Sequence, residues 1–81
     1  MIFELPDDIE DIKKYCKKCI KTKNTTQTAL SNKLGYTQQN ISYVLNEKTT
    51  LQYTVFEIFL ELGYDINLFS NKIMIDDGEV M

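Results

Sequence analysis

Thr26-Gln27-Thr28-Ala29-Leu30-Ser31-Asn32-Lys33-Leu34-Gly35-Tyr36-Thr37-Gln38-Gln39-Asn40-Ile41-Ser42-Tyr43-Val44-Leu45-Asn46 is the stretch on which the reading of this chain turns. Thr25 or Thr26 can cap a short helix whose apolar positions are Ala29, Leu30 and Leu34, and Gly35 closes it where a left-handed backbone is needed. After Gly35-Tyr36, Thr37 can cap a second helix carrying Ile41, Val44 and Leu45 at spacings of three and one, with Asn46 as its stop. Two short helices separated by a few residues are therefore expected.

Toward the N-terminus, Pro6 followed by Asp7 and Asp8 is a helix-start signature, and residues 7 to 22 bring Ile9, Ile12, Cys16, Cys19 and Ile20 onto one face. Thr22-Lys23-Asn24-Thr25-Thr26 ends that helix with poor helix formers and an Asn that tolerates a left-handed backbone. Toward the C-terminus, Leu51, Val55, Ile58, Phe59 and Leu62 mark the clearest amphipathic helix, stopped by Gly63. Residues 65 to 75 read two ways. Asp65 can cap a fifth helix through Ile66 and Phe69, or Ile66/Leu68 and Ile73/Ile75 can alternate as extended segments around Ser70-Asn71. The extended reading is preferred, because Ile73-Met74-Ile75 is too short for a helix and too apolar for water. Asp76 to Met81 read as frayed. The expectation is a mainly α domain of four to five helices with room for a short C-terminal β strand or hairpin. It is a single domain over residues 1–81, with a core at about 7–69 and an extension over 70–81.

Composition bounds the function. Eighty-one residues, 43% hydrophobic and 26% charged, with three Gly and one Pro, suit one compact domain and not two cores. No run approaches the roughly 18 apolar residues of a membrane span, and Met1 to Asp8 lack the basic start and apolar stretch of a signal peptide, so a cytoplasmic protein is expected. The net charge of −3 hides a pattern. Residues 1 to 11 carry five acids and no base, residues 12 to 50 eight Lys against Glu47, and residues 51 to 81 six acids against Lys72. Such asymmetry points toward nucleic acid, although acids at the start and lysines at the end of the first helix also suit the helix dipole.

Catalysis is restricted by what is missing. Without His the commonest neutral-pH base and the usual nitrogen ligand for zinc are absent. Cys16 and Cys19 form a C-x-x-C with no second half, inside a helical pattern, so they read as buried thiols in a reducing compartment, with an intermolecular metal site as the alternative. No enzyme, metal or resident cofactor is expected.

Two short helices around a glycine turn, flanked by supporting helices, form the helix-turn-helix arrangement, whose second helix enters the DNA major groove. Its exposed residues would be Thr37, Gln38, Gln39, Asn40 and, a turn later, Tyr43, with Ser42 beside them. A Gln or Asn amide matches the N6 and N7 edge of adenine, and Thr can touch a thymine methyl. Taken alone, Gln-Gln-Asn reads first as an ordinary soluble helix surface, and only its context points to DNA.

The segment from Thr26 to Asn46 resembles the phage Cro and repressor-type helix-turn-helix family, also called XRE-like. The likeness lies in T-Q-x-x-L before the turn, L-G within it and T-Q-Q-x-I-S after it, and more weakly in Ile58, Leu62 and Gly63. It spans about Ile9 to Leu68. The resemblance implies a four- or five-helix domain that binds operator DNA as a dimer, with Gln38, Gln39 and Tyr43 facing bases and Gln27 gripping a phosphate. Asn46-Glu47 stands where the family often has glycine, Ser31 where alanine is usual, and Ile20 and Leu45 where some members carry a buried ion pair. The absence of Arg leaves Lys as point charges and amides for reading, which implies an adenine-containing site and modest affinity.

Lys33, Lys48 and Lys23, with Lys17, Lys18 and Lys21, are the candidate phosphate contacts, Lys33 and Lys48 foremost. About five such contacts would give a salt slope near roughly −4 to −5. Two readings of function follow. The first is a homodimeric, sequence-specific transcriptional regulator, a repressor in its simplest form, that reads the major groove of double-stranded operator DNA with residues 37–45. The second is an antitoxin or phage-type adaptor whose C-terminal segment, with Ile73-Met74-Ile75, binds a protein partner such as a toxin.

Overall fold

Seven elements follow one another in the computed structural model, which describes residues 1–78: β1 (Ile2–Glu4), α1 (Ile9–Thr22), α2 (Gln27–Leu34), α3 (Gln38–Asn46), α4 (Tyr53–Glu61), β2 (Tyr64–Phe69) and β3 (Lys72–Asp77). The local signals explain the middle of the chain. Thr26 Oγ1 accepts the Ala29 N–H at 3.1 Å and Thr37 Oγ1 accepts the Asn40 N–H at 3.0 Å, so each threonine satisfies a donor that its helix start would leave unpaired. Gly35, at φ 79°, closes α2 by donating its N–H to the Ser31 carbonyl. Asn24 takes φ 57° just past α1. α1 starts at Ile9, two residues later than expected, because the Asp8 carboxylate turns back to accept the Glu4 N–H at 2.7 Å.

The expected mainly α, four- to five-helix architecture is overturned. Four helices form, but a three-stranded antiparallel sheet in the order β1-β3-β2 makes this a mixed α/β fold. Residues 65–69, one candidate for a fifth helix, lie in β2, since period-two alternation lets Ile66 pair with Ile75 and Leu68 with Ile73. The larger departure is β1. Ile2-Phe3-Glu4 pairs with Met74-Ile73-Lys72, so the N-terminus supplies an edge strand that no local pattern announced. β3 is thereby central, and Asp76 and Asp77, expected to fray, belong to it. Gly78, in the same expected-frayed stretch, donates its N–H to the Gly63 carbonyl at 3.0 Å, and residues 79–81 lie outside the described residues.

Phe3, Ile73 and Ile75 point from the sheet into one core with Ile12, Cys16, Leu30, Ile41, Val44, Val55 and Phe59. Tyr15 links the layers, its ring 5.7 Å from Phe3 and 5.9 Å from Phe59. Each fully buried Ile or Phe contributes about 1.5–3 kcal/mol by leaving water. Cys16 and Cys19 are free thiols in this core, and burial pushes the Cys16 thiol above its ordinary range, which keeps it unreactive. No helix among the described residues is long and apolar enough to cross a membrane.

Candidate nucleic-acid interface

α3 divides cleanly. Ile41, Val44 and Leu45 are at most 1% exposed, which fixes the helix against the core, while Gln38, Gln39 and Asn40 face solvent and Tyr43 is 60% exposed. The amide ridge and Tyr43 therefore share the outer side. Thr37 is exposed, but its hydroxyl oxygen is committed to the Asn40 N–H. Ser42 is half-buried, and its carbonyl and hydroxyl accept from Asn46 Nδ2 at 2.7 and 3.3 Å. Asn46 Oδ1 in turn accepts from Lys17.

Gln27 opens α2 and lines a groove of about 480 Å³ with Lys17, Lys21, Thr25 and Thr26, so the expected phosphate-gripping residue stands beside two lysines of α1. Lys33 and Lys48 are 68% and 74% exposed. Each faces one carboxylate, Glu61 at 3.6 Å and Glu10 at 3.9 Å respectively. Exposed pairs of this kind are worth about 0–1 kcal/mol and exchange partners readily. Other lysines of the basic segment turn inward. Lys23 holds Asp77 at the end of the sheet, and Lys13 is buried against Glu47.

Residues 12 to 46 contain no carboxylate, and the one acid of the basic segment, Glu47, is folded back on its own loop. Its carboxylate accepts the Thr49 N–H at 2.6 Å, the Thr50 N–H at 2.9 Å and both threonine hydroxyls. These bonds, the Thr49 hydroxyl first, hold the Glu47 carboxyl far below the usual range. The acids that face Lys48, Lys33 and Tyr36, namely Glu10, Glu61 and Glu57, come from α1 and α4 rather than from the helix pair itself. Sequence reasoning missed Glu47 because its partners depend on the loop conformation. It missed Tyr36 as well. The Tyr36 hydroxyl donates to Glu57 Oε1 at 2.6 Å, tying the turn between α2 and α3 to α4, and that bond raises the hydroxyl pKa.

Ile20 and Leu45 are both buried. Ser31 is small enough to sit 3% exposed, its hydroxyl donating to the Thr28 carbonyl at 2.7 Å. Among the described residues no group of three or more Cys, Asp or Glu converges as metal ligands would. Comparison with protein-family models, curated proteins and solved structures finds no match to this chain.

Proposed function

We propose that this chain is a sequence-specific DNA-binding regulator of the Cro and repressor type, with α3 as the reading helix. The observation that carries this reading is the exposed, uncharged ridge of Gln38, Gln39, Asn40 and Tyr43 set in a segment, residues 12–46, that has seven lysines and no acid. Amides at a helix start offer paired donors and acceptors to adenine, and the lysines supply the sequence-independent attraction to phosphate. Gln27, Lys33 and Lys48 flank the ridge as backbone contacts. Thr37 and Ser42, whose oxygens are engaged within α3, contribute through the Thr methyl and the remaining hydroxyl capacity.

Dimerisation falls to β2. β3 is paired on both sides, which withdraws Ile73-Met74-Ile75 from that role, whereas β2 is an edge strand bearing Leu68 and Phe69 at 66% and 47% exposure. Its only charge is Asp65. An edge this weakly protected pairs readily with another strand. Two copies meeting antiparallel about Asn67 would set Ile66 opposite Leu68 of the other copy. The same exposed edge favours the second reading, an adaptor that receives a strand from a different protein.

Selection of bound fragments from a random duplex pool tests the proposal. Enrichment of a two-fold symmetric, adenine-containing site supports it, and an unenriched pool with capture of a specific protein at β2 favours the adaptor.

A further inference from the structure

Lys13 is the only buried lysine among the described residues, its side chain 3% exposed. Its ammonium donates to the main-chain carbonyl of Glu47, the residue that caps the C-terminal end of α3, and lies 3.4 Å from Glu47 Oε2. The Glu47 carboxylate is itself fixed by the amides and hydroxyls of Thr49 and Thr50. One turn further along α1, Lys17 bonds Asn46 Oδ1. Two lysines four residues apart on α1 thus grip consecutive residues at the end of α3.

This end of α3 has an unusual need for a partner. Glu47 leaves the helix in extended conformation, φ −66° and ψ 138°, so no left-handed residue folds the chain back to satisfy the last carbonyls. The negative end of the helix dipole there attracts a cation. Net stabilisation is small, since taking an ammonium out of water costs several kcal/mol and the bonds little more than offset it. What a buried, directional pair supplies is a single geometry.

We infer that Lys13 is a positioning residue for DNA reading: it fixes the orientation of α3 against α1 and touches no DNA. The inference rests on the reading of α3 as the reading helix. It separates Lys13 from lysines that neutralise phosphates, because only the latter release counterions on binding.

The test compares Lys13→Met with Lys48→Met in the full chain. The probes are the duplex selected by wild type and an unrelated duplex, titrated over a range of salt. Lys13→Met should weaken the selected duplex about tenfold, the size of one misplaced base contact, with unrelated-duplex affinity and salt slope unchanged. Lys48→Met should weaken both duplexes and reduce the slope by about one. Wild-type affinity in Lys13→Met, or a slope reduced by about one, overturns the inference. Amide hydrogen exchange gives a readout independent of DNA. Lys13→Met should speed exchange at Val44 to Glu47, and unchanged protection there also overturns it. Were wild type to select no duplex, the DNA-reading proposal alone would fail and exchange would still decide whether Lys13 holds α3. Should Lys13→Met not fold, Lys13→Gln is the milder change, since it removes the charge and keeps a hydrogen-bond donor. Hydrogen exchange at Val44 to Glu47 is then read in Lys13→Gln, whose donor has a smaller reach, and protection equal to wild type there counts against the inference.

Discussion

The ammonium of Lys23 lies 2.9 Å from both carboxylate oxygens of Asp77 and 5.1 Å from the centre of the Tyr64 ring. Lys23 ends α1 and Asp77 ends β3, so the pair closes the helical layer onto the sheet. Both side chains are mostly withdrawn from solvent, at 17% and 25% exposure, which spares the pair most of the screening that weakens surface salt bridges. Asp77→Asn should cost about 1–2 kcal/mol and lower the melting temperature by roughly 4–8 °C per kcal/mol. An unchanged melting curve would show that the pair adds nothing to cohesion.

Phe3 is 4% exposed and packs on Tyr15 from a strand of three residues. Phe3→Ala should destabilise by about 3–5 kcal/mol, a large share of the 5–15 kcal/mol typical of a domain. Chemical denaturation at equilibrium measures it. A loss below about 1 kcal/mol would mean that β1 is dispensable to the core.

Acid stability should depend on Glu47. Its folded pKa is depressed below the ordinary 4.5, chiefly by the Thr49 and Thr50 hydroxyls. The charged form is therefore favoured by folding. The corresponding stability is present above the unfolded value and is lost as pH falls through the folded one. Wild type should lose stability steadily below about pH 4.5, and Glu47→Gln should be less stable at neutral pH but flatter in that acid range. Thermal melting of both proteins across that range checks this, and parallel profiles would refute it.

Gln38 and Gln39 are exposed and contribute nothing to the core. Gln38→Ala with Gln39→Ala should leave melting within about 0.5 kcal/mol of wild type. The same change should reduce preference for the selected duplex by about 10- to 100-fold, leaving affinity for unrelated duplex in place. Competition binding reads the difference directly; retained selectivity would remove these residues from the reading surface.

Leu68, 66% exposed on edge strand β2, should govern assembly. Leu68→Lys places a charge on an open strand, the usual natural guard against edge pairing. Sedimentation should show wild type as a dimer and the variant as a monomer of unaltered fold. A dimer that survives the change would move the interface elsewhere.

The helix pair was legible because its determinants act within a few residues. The Thr26 and Thr37 caps reach three residues ahead, Gly35 needs only its own backbone freedom, and Ile41, Val44 and Leu45 mark the inner side of α3 by spacing alone. The amide ridge was legible for the same reason, being the complement of that apolar side. Tertiary structure alone decided that Phe3 would face Ile73, that β3 would be central and β2 the open edge, and that Lys13 would be spent on Glu47 while Lys48 stays in solvent. Strand pairing across some 70 residues leaves no period in the sequence around Ile2-Phe3-Glu4. A lysine reads the same in sequence whether it ends in water or in a core, because its fate is set by which distant carbonyl the packed helices bring within reach.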